Sequence, residues 1–295
     1  MKKKKQWSIL SSRSAGEKVL FGIVLAIFVV YSLSLIFPVV WMLMTSFKEG
    51  TVEYFSTSPF SLPEVFMFDN YLKAFQMLNA GDTGFFGMIL NSLWYTLLVT
   101  AIGAFMPAVT GYVMSKYDFK AKAFIFTVAI SSMVIPIVGN TASYMNVISF
   151  LGLYDTPLYA VVTSMGGFGG SFLVYYGFFK SVSSAYMEAA KIDGANPFVI
   201  FFKIMLPQGV PIIMTYAITG AIGSWNEYNT MILYMPSYPT LASGLFEYES
   251  VAIYQGINVP VYYAGLIISM IPTIALFAVF SDKIMTSISI GGLKG

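Results

Sequence analysis

Six long apolar segments dominate this 295-residue chain and limit what it can fold into. A helix needs about 20 mostly apolar residues to cross a bilayer, and each segment meets that length. Hydrophobic residues make up 57% of the chain and charged residues 10%, which is too little polar material to cover a water-soluble globule of this size. The sequence therefore predicts an all-α integral membrane protein with six transmembrane helices, at roughly residues 19–45, 86–114, 122–147, 157–179, 206–233 and 260–281.

The lysines and arginines predict which way the helices run. With a cytoplasmic N-terminus, fourteen of the sixteen basic residues fall on the inner side and only Lys48 and Lys73 fall outside, as the positive-inside rule requires. The first segment has no small-residue cleavage site after it, so we expect it to be retained as a helix and not removed as a signal peptide. The MKKKK start would contact anionic membrane lipid. We expect a multi-pass protein of the cell membrane whose N-terminal tail, 1–18, and C-terminal tail, 286–295, are both cytoplasmic. The membrane domain would be 19–285, with an external loop at 46–85 and a cytoplasmic loop at 180–205.

Residue types that are missing exclude most enzyme chemistry. The chain has no cysteine, which excludes disulfides and thiolate catalysis. It also has no histidine, the commonest general base and metal ligand. The dipeptide GK never occurs, and a phosphate-binding loop needs it. GGFGGS at 166–171 lacks the lysine and lies within a predicted span, where small residues favour close helix packing. We expect no catalytic residue, no metal site and no cofactor on this chain, and no nucleic-acid partner because no basic face exists outside the termini.

The stretch EAAKIDGANPFVIFFKIMLP, residues 188–207, interrupts the apolar pattern with charges and turn formers. Its start favours a helix, which Asp193-Gly194 would end, and Asn196-Pro197 is typical of an N-cap followed by proline at the first helical position. The pattern predicts a helix, a turn and a second helix. In the second helix, apolar side chains at helical spacing predict one apolar face made by Phe198, Phe201, Phe202 and Met205.

The order of residues in this stretch is specific: E-A-A, three residues, G, nine residues, I, one residue, L-P. It resembles the cytoplasmic EAA loop of permease subunits of binding-protein-dependent ABC importers, and the matching residues are Glu188, Ala189, Ala190, Gly194, Ile204, Leu206 and Pro207. The stretches NSLWYTLLVTAIGAFMPAVTGYVMSKYDF, MVIP, LGLYDTPL, SWNEYN, TLASGL and GGLKG resemble the carbohydrate branch, in particular the smaller maltose-type permease subunit. The resemblance implies the type I ABC importer permease fold.

The resemblance also implies partners. The first short helix and the Asp193-Gly194 turn would dock into a groove on a separate ATPase subunit, with Glu188 facing a basic group. A second homologous permease, two ATPase subunits that bind ATP and magnesium, and an extracellular sugar-binding protein would complete the transporter. Such permeases usually carry proline where this chain has Ser183 and acidic residues where it has Ala185 and Met187, so the coupling surface is less acidic here. The SISIGGLKG end also lacks the glycine that typically stands before the terminal stretch.

SWNEYN, residues 224–229, is the candidate substrate path. Glu227 is the only acid well inside a predicted span, where an ionisable side chain should face a cavity or a partner. Amides and aromatic rings suit sugar hydroxyls and sugar faces, and helical spacing would pair Asn226 with Asn229 and Trp225 with Tyr228. The alternative is that Glu227 and the asparagines bridge to a neighbouring helix. Asn91, with Trp94 and Tyr95, is a weaker candidate set.

Two other functions fit the sequence less well than an importer. A secondary transporter driven by an ion gradient would need several ionisable groups in the membrane, and only Glu227 is available. An integral membrane enzyme would need paired carboxylates, histidine or cysteine. Prolines within the spans, at 107, 136 and 272, predict kinks that could serve transport or be structural only.

Overall fold

The computed structural model describes residues 14–58, 60–135, 138–256 and 258–292, which are helical over most of their length. The predicted tails therefore lie partly outside the described residues. In chain order the helices are α1 (Ala15–Ser46), α2 (Thr51–Ser56), α3 (Asp69–Met77), α4 (Phe85–Lys116), α5 (Lys122–Val134), α6 (Thr141–Phe150), α7 (Pro157–Ser164), α8 (Gly170–Ser181), α9 (Ala185–Ile192), α10 (Pro197–Val199), α11 (Leu206–Trp225), α12 (Asn229–Tyr234), α13 (Leu241–Gln255) and α14 (Val259–Gly292). A π-helix, Ile200–Met205, joins α10 to α11.

Four stretches of helix are long and apolar enough to cross a membrane in the described part of the chain. They are α1, α4, the continuous stretch Pro197–Trp225 and the first part of α14, Val259–Ala278. These correspond to the predicted first, second, fifth and sixth spans and have the length and hydropathy of membrane-spanning helices. The full count of six spans remains a prediction.

The third and fourth predicted spans are each interrupted. Between α5 and α6, Ile135 is extended, as expected of a residue that precedes a proline, and Gly139 has a φ of 74°. Between α7 and α8 lies the glycine-rich stretch 165–169, and glycine is a poor helix former. Both predictions of one continuous helix were wrong for these local reasons. Pro136 lies outside the described residues, whereas α4 and α14 continue through Pro107 and Pro272.

A small hairpin modifies the all-α prediction. Strand β1 (Asn79–Ala80) pairs antiparallel with β2 (Thr83–Gly84). The two-residue turn between them has Gly81 at a φ of 54°, a conformation that glycine adopts without steric strain. The hairpin spans six residues, 79–84, and leaves the helical class unchanged.

Contacts divide the chain into two compact units, and the first contains residues up to Met77 together with Ala252–Ile268. The predicted loop 46–85 contains α2 and α3 as well as the hairpin. Lys48 is fully buried, and its ammonium group donates to Thr57 Oγ1 at 3.0 Å, Ser58 O at 3.3 Å and Ser61 Oγ at 3.2 Å. Three acceptors satisfy the three N–H donors of a lysine, so this buried cation holds the turn after α2.

The second unit, Leu78–Val251 with residues from Ser269 onward, is built around α4. Helix α4 packs against α8 and α11. At Gly111 the approach of α8 is so close that an added Cβ would lie 2.7 Å from Tyr175 Cβ and 2.9 Å from the backbone N of Tyr176. Small residues permit such close helix contact in membranes. This packing positions the segment between α8 and α11, which contains the EAA-like loop.

Candidate functional site

The EAA-like loop is a rigid helix–turn–helix. Helix α9 ends in a turn where Gly194, with a φ of 79°, follows the last helical residues. The N–H of Gly194 donates to Lys191 O at 3.0 Å and the N–H of Ala195 donates to Ala190 O at 2.9 Å. These two bonds and the left-handed glycine form a Schellman motif, which confirms the predicted role of Asp193-Gly194 in ending the helix.

The second half of the loop is capped as the sequence predicted. Asn196 Oδ1 accepts a hydrogen bond from the N–H of Val199 at 2.9 Å, and Pro197 occupies the first turn of α10. At the start of α9, the Ser183 hydroxyl accepts from the N–H of Ala185 at 3.3 Å. The Asn196 side chain thus caps the helix that follows the turn, as its residue type favours.

One face of the loop is anchored in a hydrophobic cluster. Met187 and Ala190 from α9 and Ile200, Phe201 and Met205 from the π-helix are buried there. They pack with side chains of α4 and α8, namely Ala108, Tyr112, Tyr175 and Phe179, and the predicted coupling residues Ile204 and Leu206 pack against the cluster from its edge. The buried face of the loop is therefore packed directly against α4 and α8.

The opposite face of the loop is open. Glu188, Ala189, Asp193 and Gly194 are exposed, as is Pro207 at the start of α11. Two large apolar side chains beside the turn, Ile192 and Phe198, are 87% and 75% exposed. Within the part of the chain that the structure describes, the carboxylate of Glu188 has no hydrogen-bond or ion-pair partner. Apolar groups next to an unpaired charge are typical of a surface that a partner protein covers.

The single apolar face predicted for the second short helix is wrong. Phe201 and Met205 are buried, whereas Phe198 and Phe202 are exposed. The reason is that residues 200–205 wind as a π-helix, which changes the angular spacing of the side chains that a regular α-helix would give. Two of the four side chains consequently join the core.

Lys116, at the end of α4, also supports the loop. Its ammonium group donates to the carbonyl oxygen of Val182, the residue that ends α8 and precedes α9. This contact was not predicted from the sequence. The available signal was a basic residue in the last turn of a predicted span, where lysines interact with helix carbonyls.

The SWNEYN stretch lies in a helix break. Helix α11 ends at Trp225 and α12 begins at Asn229, so the placement of Glu227 well inside a helix was wrong. The Asn226 side chain donates to Ile222 O at 2.8 Å, and Glu227 Oε1 accepts from the N–H of Thr230 at 3.0 Å. Short polar side chains that bond nearby backbone groups end helices in this way. The pairing of Asn226 with Asn229 on one helix side is therefore also wrong.

The aromatic candidates of the stretch are separated as well. Trp225 is buried and its indole N–H donates to Thr273 Oγ1 at 3.1 Å, while Tyr228 stacks on Phe246 with a centroid distance of 5.0 Å. Asn91 donates to Pro239 O at 3.0 Å and accepts from the indole N–H of Trp94 at 3.1 Å. Asn226 and Asn229 are the exposed amides of the stretch.

Known proteins show the same architecture. The chain is 28% identical over 273 residues, 91% of its length and 87% of the relative's, to the diacetylchitobiose uptake system permease protein of Streptomyces coelicolor. It is 26% identical to the arabinooligosaccharides transport system permease protein of Bacillus subtilis, over 91% of this chain and 94% of that one. A crystal structure of a bacterial ABC transporter involved in alginate import contains a chain that superimposes with a TM-score of 0.69 at 21% identity, covering 92% of this chain and 98% of that one.

Residues 107–288 match the family described as the inner membrane component of binding-protein-dependent transport systems. The match includes α8, the whole helix–turn–helix and α11. It covers more than half of the chain and confirms the resemblance carried by the EAA spacing. The chain therefore belongs to the family of inner membrane components of binding-protein-dependent transport systems.

Proposed function

We propose that this chain is a permease subunit of an ATP-driven importer that moves an oligosaccharide, delivered by an external binding protein, across the cell membrane. The names of its relatives support the substrate class, because diacetylchitobiose and arabinooligosaccharides are both short carbohydrates. The structural neighbour imports alginate, an acidic polysaccharide. A structure of that alginate transporter includes a periplasmic protein with a bound pentasaccharide, which supports a binding-protein partner here.

The observation that carries the proposal is the helix–turn–helix at Ala185–Val199, which is anchored on one face and open on the other. We assign its open face to an ATPase subunit, with Glu188 beside a basic group of that subunit. Movement of the partner would pass through the buried face of the loop into α4, α8 and α11. A rigid element with two packed faces can transmit a displacement in this way.

The proposal divides the work among several chains. This subunit supplies half of the translocation path, a second homologous permease supplies the rest, and two ATPase subunits bind ATP and magnesium. Both termini and the loop 180–205 lie in the cytoplasm in this arrangement. The helix break at Asn226–Tyr228 remains our candidate for contact with the sugar, through the exposed amides of Asn226 and Asn229.

The substrate class is tested by uptake. Cells that lack this gene should lose uptake of one class of labelled oligosaccharide, and the wild-type gene should restore it. Purification of the complex with its binding protein, followed by identification of the bound sugar, names the substrate. Unchanged uptake across chitooligosaccharides, arabinooligosaccharides and uronic-acid oligosaccharides would count against a carbohydrate importer of the kinds represented among the relatives.

Coupling is tested at Gly194. An added Cβ would meet no heavy atom within 4 Å, but the φ of 79° is one that a β-branched residue rarely adopts. Gly194→Val should therefore strain the turn by about 1–3 kcal/mol and reduce stimulation of the ATPase by sugar-loaded binding protein. Gly194→Asn is the matched control, because asparagine tolerates this region.

The charge of the loop provides a second arm of the coupling test. Glu188→Lys reverses the exposed charge without removing a contact within the chain and should impair assembly with the ATPase. Reconstituted complexes would be compared for sugar uptake and for ATPase stimulation. Normal stimulation in both Gly194→Val and Glu188→Lys would show that another segment couples the two subunits.

A further inference from the structure

An open cleft of about 300 Å³ lies in the second unit, beside the hairpin turn. Its walls include Gly81 of the turn, Met231 and Ile232 of α12, and Phe246 and Glu247 of α13. Met231 is almost fully buried, and Phe246 is held by stacking on Tyr228 at 5.0 Å. The cleft therefore has fixed apolar walls and one ionisable group, the exposed carboxylate of Glu247.

The side chains that line the cleft offer acceptors and no free donor. Two serines contribute hydroxyl groups, and both already donate to backbone carbonyls: Ser243 Oγ to Thr240 O at 3.0 Å and Ser250 Oγ to Phe246 O at 2.9 Å. Within the described residues the Glu247 carboxylate has no hydrogen-bond or ion-pair partner. A ligand that complements this site must therefore donate hydrogen bonds and carry positive charge.

The surrounding sequence leaves the carboxylate without a basic neighbour in the chain. From residue 204 to residue 281 the sequence contains three acidic residues, Glu227, Glu247 and Glu249, but no lysine or arginine. The second-unit segments proposed to lie on the outer face of the membrane are also acidic elsewhere, because Asp82 and Asp155 are accompanied by no basic residue there. Acidic residues contribute little to membrane orientation, so topology alone does not explain this excess.

We propose that the cleft receives a lysine side chain of the external sugar-binding protein, with its ammonium group on Glu247 and its methylene stem along Ile232 and Phe246. This inference rests on the proposed function, which places the hairpin and the α12–α13 segment on the outer face. The amphipathic shape of lysine matches a cleft with apolar walls and a charged rim. A docked lysine would set the position of the binding protein over the permease.

Other cationic ligands fit the cleft less well. Ser243 Oγ already accepts from the N–H of Thr240 at 2.8 Å, so the free acceptors among the lining side chains are the two oxygens of Glu247 and the hydroxyl of Ser250. Three acceptors match the three donors of an ammonium group and fall short of the five donors of a guanidinium. A calcium ion takes six to eight oxygen ligands. The described residues contain no cluster of three acidic or other metal-ligating side chains.

Zero-length cross-linking tests the contact directly. A water-soluble carbodiimide joins a carboxylate to an amine only when the two are in contact, so it should link Glu247 to a lysine of the binding protein that co-purifies with the complex. The purified complex would be treated in nanodiscs and the joined peptides identified by mass spectrometry. The link should vanish in Glu247→Gln and persist in Glu249→Gln, the matched control on the same helix.

Binding measurements provide the second arm. Because Glu247 is exposed and unpaired, Glu247→Gln should leave folding and basal ATPase activity unchanged. It should weaken binding of the sugar-loaded binding protein about 3- to 10-fold, and Glu247→Lys should weaken it further. The difference from wild type should shrink in about 0.5 M salt, since salt screens exposed charges.

The outcomes separate this inference from the proposed function. If wild-type complex binds the sugar-loaded protein but Glu247 forms no link to it, or Glu247→Gln binds normally at low salt, the lysine contact is wrong and the importer stands. If no sugar-binding protein associates with the wild-type complex, the proposed function itself fails.

Discussion

Gly111 is the position where one added methyl group should have the largest effect on the helix core. A Cβ at this site would lie 2.7 Å from Tyr175 Cβ, 2.9 Å from Tyr176 N and 3.0 Å from the Tyr175 carbonyl carbon. Favourable carbon–carbon contacts are about 3.5–4.0 Å, so α4 and α8 would have to separate by roughly 1 Å. Two of the three nearest atoms belong to backbone, and a change of rotamer cannot relieve the clash.

The size of the effect follows from two opposing contributions. Replacing glycine by alanine inside a helix is favourable by about 1 kcal/mol in water, whereas overpacking a close-packed core costs about 1–3 kcal/mol and occasionally more. The cost of overpacking exceeds the gain in helix propensity, because the closest contact is 2.7 Å and two of the three nearest atoms are backbone. We expect Gly111→Ala to destabilise the protein by up to about 2 kcal/mol net, a fall of up to about 8 °C in apparent Tm.

The assay is thermal unfolding of the purified protein in detergent, followed by tryptophan fluorescence. Gly103→Ala is the matched control because Gly103 lies in the same helix and an added Cβ there meets no heavy atom within 4 Å. The control should be neutral or slightly stabilising. Equal apparent Tm values for Gly111→Ala and Gly103→Ala would refute the close approach of α4 and α8.

Two further predictions concern the outer loops and the orientation. Asp155 has a φ of 55°, and its carboxylate accepts from Ser237 N at 2.9 Å and from Ser237 Oγ at 2.7 Å. Asp155→Ala should lower the free energy of unfolding by about 1–3 kcal/mol, and Asp155→Asn should have an intermediate effect. Equal unfolding of both variants and wild type would contradict the role of this contact. Single cysteines at the exposed residues Ser184 and Asp82 should react with an impermeant maleimide in intact cells only at Asp82, and labelling at Ser184 alone would reverse the proposed orientation.

Sequence reasoning succeeded where the determinants are local. The turn at Gly194 and the cap at Asn196 depend on residues within five positions of one another, so both could be predicted from the local sequence. The long apolar spans were equally visible, because hydrophobicity over about 20 residues is a strong signal.

The prediction failed where a short local break lies inside a long apolar run. Asn226 and Glu227 end one helix and begin the next, yet the surrounding apolar residues suggested one continuous span. The glycines at 166–169 were interpreted as packing residues although they separate α7 from α8.

Long-range contacts could not be predicted from the sequence at all. Lys116 bonds to Val182 O and Trp225 to Thr273, and no pattern in one sequence pairs residues so far apart. The π-helix was also missed, because its side chains differ from those of an α-helix in spacing and not in type.

The π-helix at Ile200–Met205 has a consequence for how the length of this chain can vary. A π-helix accommodates one residue more than an α-helix over the same axial rise, so the segment contains a residue that the direction of the flanking helices does not require. Deletion of the half-exposed Phe202 would let this segment wind as an α-helix. The EAA-like loop and α11 would then keep their relative orientation. The same deletion inside α11 would rotate everything before it by about 100°, the angle per residue of an α-helix. Deletion of one residue from this segment is therefore expected to destabilise the chain less than deletion of one residue from α11.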